Sequence, residues 1–250
     1  MLDIIPIPAF RDNYIWLLRD GSHAVVVDPG DAAPVIERLD KLSLELDAIL
    51  ITHHHSDHIG GVHDLLHRWQ VPVYAPKREQ YNFPHHAVEE SSIVLLDALN
   101  LELAVIEVPG HTLGHVAYYG ANKLFCGDTL FGAGCGRLFE GTPQQMYNSL
   151  QKLAVLPPET AVYCTHEYTE HNLAFASRID PANTALAQRK ITAAQTRLAG
   201  HPTLPSTIGL ELATNPFLRC ETDAVRHASG LENAGPVAVF TAIREMRNHY

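Results

Sequence analysis

Four apolar runs in this 250-residue chain each stop at residues of metal-ligand type. Ala48-Ile49-Leu50-Ile51 leads into Thr52-His53-His54-His55-Ser56-Asp57-His58, and a run ending at Val108 leads into Pro109-Gly110-His111. Phe125-Cys126 leads into Gly127-Asp128, and Tyr163-Cys164 into Thr165-His166. Short apolar runs bounded by turn chemistry are buried strands. Ligand-type residues at several strand ends constrain the fold, because they share a purpose only if one edge of a rigid sheet gathers them. Glycine before His111 and before Asp128 lets the backbone turn sharply and approach closely.

Imidazole nitrogens mixed with carboxylate oxygens suit zinc, iron or manganese better than calcium or magnesium. In an extended segment alternate side chains point the same way, so His53 and His55 should share an ion while His54 turns aside. Asp57 and His58 follow a turn and face another point, where a second ion can sit. The candidate donors are His53, His55, Asp57, His58, His111, Asp128 and His166. Seven are too many for one tetrahedral catalytic ion with three protein ligands and a water. They suit two ions if one carboxylate bridges, and Asp128 is the donor flanked by neither cluster. One such ion lowers the pKa of bound water to about 7, and a partner about 3.5–4 Å away holds the same oxygen and polarises the substrate, so no separate general base is needed. In keeping with that, the chain shows no Ser-His-Asp or Cys-His arrangement, no Gly-x-Ser-x-Gly elbow and no Gly-Lys-Ser/Thr phosphate loop. Asp57 and Asp128 are the candidate catalytic carboxylates. His115 enters the next strand and is expected to support the fold or a ligand. His85-His86, His23, His63, His67, His171, His201, His227 and His249 are assigned to surface or packing.

Along the chain, strands are expected over 2–8, 14–18, 24–28, 71–75, 93–97, 101–108, 116–119, 124–126 and 161–164. Helices are expected from an Asp31 cap to about 42, over 61–69, and from Thr142-Pro143 to Pro157-Pro158. Residues 76–92 are expected to be a polar connection, and Gly132-Ala133-Gly134-Cys135-Gly136 a flexible loop beside the site. From Tyr168 the strand signal nearly vanishes and helical periods dominate, with helices expected over 170–179, 184–198, 223–228 and 237–248. Pro and Gly cluster between them at Pro202, Pro205, Gly209, Pro216, Gly235 and Pro236. The shift predicts a β-rich domain over 1–169 and an all-helical one over 170–250.

A formal charge of −10 argues against nucleic acid and anionic membrane surfaces as partners. The four cysteines form no Cys-x-x-Cys pair, so a reducing cytosol is the expected compartment. The start, Met1-Leu2-Asp3-Ile4-Ile5-Pro6, lacks a basic leader region, and no apolar run approaches a membrane span. A cytoplasmic monomer acting on a small molecule is expected.

Thr-His-His-His-Ser-Asp-His, Gly-His-Thr, Gly-Asp-Thr and Cys-Thr-His-Glu-Tyr, in this order, resemble the metallo-β-lactamase superfamily. Within it the chain is similar from end to end to the glyoxalase II (hydroxyacylglutathione hydrolase) family. That likeness includes Phe10-Arg11-Asp12-Asn13-Tyr14, Val27-Asp28-Pro29-Gly30, the stretch 130–137, Glu140-Gly141-Thr142 and Asn215-Pro216-Phe217-Leu218-Arg219. The resemblance implies an α+β fold, an αββα sandwich of two mixed sheets flanked by helices, followed by a helical domain that helps bind glutathione. It implies one metal on His53, His55 and His111, another on Asp57, His58 and His166, and Asp128 between them. The ions would be zinc, with iron or manganese as alternatives. The implied reaction is hydrolysis of S-D-lactoylglutathione to glutathione and D-lactate, with a lactonase on the same scaffold as the nearest rival.

Glutathione carries two carboxylates and one ammonium, so an acidic protein must offer it a local cationic patch. Arg244 and Arg247 are three apart on the last helix, on a face expected to lie opposite much of Val239, Phe240 and Ile243. Periodicity alone favours an ordinary solvated face. The resemblance instead implies glutathione contacts there, at Arg137, at the Tyr168 hydroxyl and around Phe139. Arg137 stands where many members have lysine, which keeps the charge. Phe139 stands where some have tyrosine, which removes a hydroxyl.

Overall fold

The computed structural model describes residues 2–250, and their packing divides into two units. The first comprises the chain up to Glu107 with Leu113–Gly127, and the second Val108–Thr112 with Asp128–Tyr250. In the first, β1 (Asp3–Ala9), β2 (Asn13–Asp20) and β3 (His23–Val27) form an antiparallel meander, with Ile5 opposite Leu17 and Trp16 opposite Val27. Helix α1 (Ala32–Leu42) starts at Asp31, whose carboxylate accepts the Ala33 N–H, and ends at Ser43 in the left-handed region. It crosses to β4 (Glu45–Leu50), which pairs parallel with β3. A single helical turn, α2 (Ser56–Ile59), and α3 (Val62–Arg68) lead to β5 (Val73–Pro76) and β6 (His86–Val88). The sheet runs β1-β2-β3-β4-β5-β6. Strands β7 (Ile93–Leu96), β8 (Leu101–Glu107), β9 (Val116–Gly120) and β10 (Lys123–Gly127) pair antiparallel in succession.

One core holds this unit together. Val35 and Leu39 of α1 and Val62 and Leu65 of α3 join Leu17, Val26 and Ile49 of the first sheet, each buried to within 1% of full enclosure. Truncating Leu39 to alanine there removes about 2–5 kcal/mol. Residues 76–92 are more ordered than expected, because β6 pairs parallel with β5, Tyr74 opposite His86. Three residues with an alternating pattern are too short to register as a strand against a polar background.

In the second unit, β11 (Leu130–Phe131) and β12 (Gly134–Cys135) form a buried hairpin. Helix α4 (Pro143–Ala154) opens with a reciprocal Thr142–Gln145 capping box and proline in its first turn. There follow β13 (Ala161–Cys164), α5 (Thr169–Ile179) and α6 (Thr184–Leu198), whose cap Asn183 accepts the Leu186 N–H. After them come β14 (Ser206–Thr207), α7 (Ile208–Thr214), α8 (Asp223–Ser229) and α9 (Pro236–Asn248). Two differences from the sequence reading stand out. The region past 170 is not wholly helical, since β14 pairs with β13. Helix α7 runs through Gly209, because Thr207 caps it and glycine in a first turn costs little beside that cap.

The hairpin is not a flexible loop. Asn172 Nδ2 donates to Gly132 O (3.0 Å), Asn215 Nδ2 to Gly134 O (2.8 Å), and Arg244 Nη1 to Cys135 O (3.0 Å). The Ala133 N–H donates to Glu211 Oε2 at 2.8 Å. Glu211, wholly buried, is itself paired with Arg189 at 2.6 Å. Backbone groups that a glycine-rich segment would show to water are instead held by side chains of three helices and the flank of one of them.

Candidate active site

The first unit carries one half of the predicted donor set. Parallel pairing of β3 with β4 brings Asp28 beside Thr52. Asp28 is buried with φ +52°, and its carboxylate accepts the Thr52 N–H (2.8 Å), the Thr52 hydroxyl (2.7 Å) and His58 Nδ1 (3.0 Å). A carboxylate only accepts, so His58 carries its proton on Nδ1 and presents Nε2 as a lone pair. The Thr52 hydroxyl hydrogen is committed to Asp28, so toward His53 Nδ1 (3.1 Å) Thr52 acts as acceptor. His53 therefore presents Nε2 as well, 3.1 Å from His55 Nδ1. His53 is stacked on His115 at 4.6 Å and lies 4.0 Å from the ring of His58. Asn13 Nδ2 donates to Asp57 Oδ2 at 3.0 Å, and that oxygen is 3.6 Å from His58 Nε2.

His54 is directed to Glu79 Oε2, 3.3 Å away, as alternation along the extended segment predicts. Gly30 closes on this loop so tightly that a Cβ there would lie 1.9 Å from the Asp57 carbonyl oxygen.

The second unit carries the other half. His111 Nδ1 donates to the Arg137 carbonyl at 2.7 Å, which again leaves Nε2 as the lone pair. That nitrogen lies 3.3 Å from Asp128 Oδ2, and His166 Nε2 lies 3.4 Å from the same oxygen. All three side chains are at least nine-tenths buried. A lone pair facing a carboxylate oxygen in a buried site is repulsive unless a cation stands between them. His53, His58 and His111 thus share one feature: an oxygen acceptor fixes the Nδ1–H tautomer and leaves Nε2 bare. Metal-ligating histidines have that arrangement, so the residues present fit a metal centre.

His111 and Asp128 also line a cavity of about 390 Å³, together with Arg137, Phe139, Tyr168, Arg244 and Arg247. Phe139 is 60% exposed and stands edge-on to His111, with the Arg137 guanidinium 5.9 Å from its ring. Tyr168 stacks on His166 at 4.7 Å. Arg244 is not on a face opposite the apolar residues of α9. It is buried with Val239, Phe240 and Ile243, since Phe240 to Arg244 and Ile243 to Arg247 are both four-residue steps on one stripe.

Both arginines are held by neutral groups. Arg244 donates to the Cys135 carbonyl and to Asn248 Oδ1 (3.1 Å) and lies 5.2 Å from the Phe217 ring. Arg247 donates to Asn172 Oδ1 at 3.1 Å and faces Phe175 and Tyr250. By contrast Arg189 and Arg219 sit on the carboxylates of Glu211 and Asp180. Burial, then the charge of Arg244, hold Arg247 below its ordinary pKa. Two cations held by neutral acceptors keep their charge for an anion that enters the cavity.

Four residues here have roles that the sequence alone does not assign. Asp28, Thr52 and Asn13 orient donors, and Asn172 joins the hairpin to Arg247. A carboxylate ending the apolar run Ala24–Val27 was the available signal for Asp28; nothing local marks the others. His171, assigned to surface or packing, lines the cavity.

Residues 9–166 match the family model described as Metallo-beta-lactamase superfamily, and residues 167–250 match Hydroxyacylglutathione hydrolase C-terminus. The chain is 59% identical over 250 residues to the hydroxyacylglutathione hydrolase of Methylobacillus flagellatus, covering 100% of both. Among solved structures it is similar to the BLEG-1 B3 metallo-beta-lactamase, with a TM-score of 0.65 and 26% identity over 87% of this chain and 99% of that one. It is also similar to TTHA1623 in a di-iron-bound form, with a TM-score of 0.64 and 27% identity over 86% of this chain and 100% of that one.

Proposed function

The chain belongs to the metallo-β-lactamase superfamily and, within it, to the hydroxyacylglutathione hydrolases, and from that footing we propose how its residues perform thioester hydrolysis. Its fold is the expected two-sheet metallo-β-lactamase fold with a helical C-terminal part. The enzyme hydrolyses S-2-hydroxyacylglutathione thioesters, of which S-D-lactoylglutathione yields glutathione and D-lactate, the second step of methylglyoxal detoxification.

Two divalent ions would be held as the superfamily likeness implies: one by His53, His55 and His111, the other by Asp57, His58 and His166, with Asp128 shared. The imidazole–carboxylate set suits zinc first, with iron or manganese as alternatives, and the di-iron form of TTHA1623 supports a pair of ions. The chemistry such ions supply when bound is acidification of water to a pKa of about 7 and polarisation of a carbonyl.

The rest is the work of the protein's own groups. Arg244 and Arg247 take the glutathione carboxylates, and Arg137 and Tyr168 flank the peptide in the same cavity. Because His111 and Asp128 line that cavity too, a ligand anchored at the arginines presents its thioester to them. Phe139 stands edge-on to His111 and is itself exposed. Asn13 and Asp28 keep Asp57 and His58 from rotating away from their roles. A thiol leaves as thiolate near its pKa of about 8.5, so expulsion needs no general acid, and none is required of the chain.

The observation that carries this reading is the pair of guanidiniums held by neutral acceptors in the cavity of His111 and Asp128. We further propose that 1–169 forms the catalytic part and 170–250 the glutathione-binding part; the two family matches, which meet after residue 166, support this. A cytoplasmic monomer remains our reading; the compartment is supported by four buried cysteines that form no disulfide among the described residues. Among the described residues no helix is long and apolar enough to cross a membrane. A thiol-release assay on lactoylglutathione, beside a lactone and a β-lactam, with metal analysis of the same sample, tests the function. Lactone turnover exceeding that of the thioester would overturn it.

A further inference from the structure

The cavity that takes glutathione in the reading above has three guanidiniums on its walls, from Arg137, Arg244 and Arg247, and one histidine outside the proposed metal set, His171. His171 is the third residue of α5 and adjoins Asn172, the residue that holds Arg247. Its ring is 5.5 Å from that of Tyr250, and it is exposed to solvent. The other ionisable groups that line the cavity or stand against His171 are His111, Tyr168, Tyr250, Cys135 and Asp128.

We propose that His171 is a specificity-determining residue of this cavity that captures a proton together with the carboxylate of the bound glutathione moiety, so that binding strengthens as the solution becomes more acidic. The inference rests on the glutathione reading and extends it. In the free protein three influences disfavour the imidazolium. Partial desolvation and the Arg247 charge hold the pKa of His171 below its ordinary value, and the N-terminal end of α5 acts in the same direction. An arriving carboxylate reverses the sign of the local field, because it offsets Arg247 and gives the imidazolium a partner. The complex therefore holds a proton that the free protein lacks. The gain is complete below the free protein's pKa and is lost as the pH rises through the pKa of the complex. A lysine or arginine at this position would bind carboxylate at every pH; a histidine makes the affinity depend on pH.

The test uses metal-loaded enzyme and S-methylglutathione, which has the peptide but no thioester to hydrolyse. Calorimetric titration in two buffers of different ionisation heat measures the protons taken up, and repetition at about pH 6 and about pH 8 measures the affinity change. The expected result is fractional proton uptake and affinity about two- to fivefold higher at the lower pH, the range of a partly exposed ion pair. In His171→Asn the uptake falls and the pH dependence of the affinity flattens. Ionisations of the ligand and of the metal centre are common to both proteins and cancel in the comparison. Uptake equal in wild type and His171→Asn, or none in wild type, overturns the role of His171. Failure of wild type to bind S-methylglutathione at either pH overturns the glutathione reading itself.

Discussion

Replacing Asn172 by aspartate changes one atom of the side chain and should damage substrate binding more than removing the side chain altogether. Asn172 Oδ1 accepts from Arg247 Nη2 at 3.1 Å and Nε at 3.4 Å, while its Nδ2 donates to the Gly132 carbonyl at 3.0 Å. In Asn172→Asp a carboxylate takes the place of the amide and neutralises Arg247 within the protein. A hydrogen bond to a charged group is worth about 1.5–3 kcal/mol. Arg247 is only half-buried, so about 2 kcal/mol of ligand attraction is lost, a rise in KM of about 30-fold. In Asn172→Ala the guanidinium loses its tether but keeps its charge, at a cost of about 1 kcal/mol, or about fivefold in KM.

Both variants leave the Gly132 carbonyl without its donor, so each should lose about 1–3 kcal/mol of stability. Thermal unfolding therefore does not separate them, whereas steady-state kinetics on lactoylglutathione does. Near-constant kcat is expected in both, because the lost interaction is made equally in ground and transition states. A KM for the aspartate variant at or below that of the alanine variant would refute the argument that neutral acceptors preserve the arginine charge.

Arg244→Ala and Arg247→Ala should each raise KM for glutathione thioesters with little change in kcat, and an unchanged KM in the double variant would remove α9 from the binding account. Arg244→Ala should also lower thermal stability, since it frees the Cys135 carbonyl; Arg247→Ala should do so less. Asp128→Ala should lose bound metal as well as rate, and full occupancy by two ions in the purified variant would dismiss the shared carboxylate. Asp28→Asn places an amide against His58 Nδ1–H and Thr52, which pushes the His58 proton toward Nε2. Metal affinity measured against a chelator should fall about 10- to 100-fold. Unaltered affinity would count against tautomer control by Asp28.

Much of this protein is legible from its residues. Short apolar runs bounded by turn chemistry located most strands, and Asp31, Thr142 and Asn183 start helices by a side-chain oxygen within three residues of the N–H it accepts. The donor types were equally plain, because a histidine or aspartate at a strand end announces itself without reference to anything distant. The short strand β6, the hairpin β11–β12 and helix α7 were not visible, since each depends on partners elsewhere in the chain rather than on its own pattern.

Chemical identity is thus a property of the sequence, while protonation and effective charge belong to the tertiary structure. Which nitrogen His58 presents is decided by Asp28, 30 residues away, and that of His111 by the carbonyl of Arg137, 26 residues away. Whether Arg244 and Arg247 keep their charge depends on Cys135 and Asn172, at separations of 109 and 75 residues. A hydrogen bond forms wherever the folded chain brings donor to acceptor, so no reading of neighbours along the sequence can supply it.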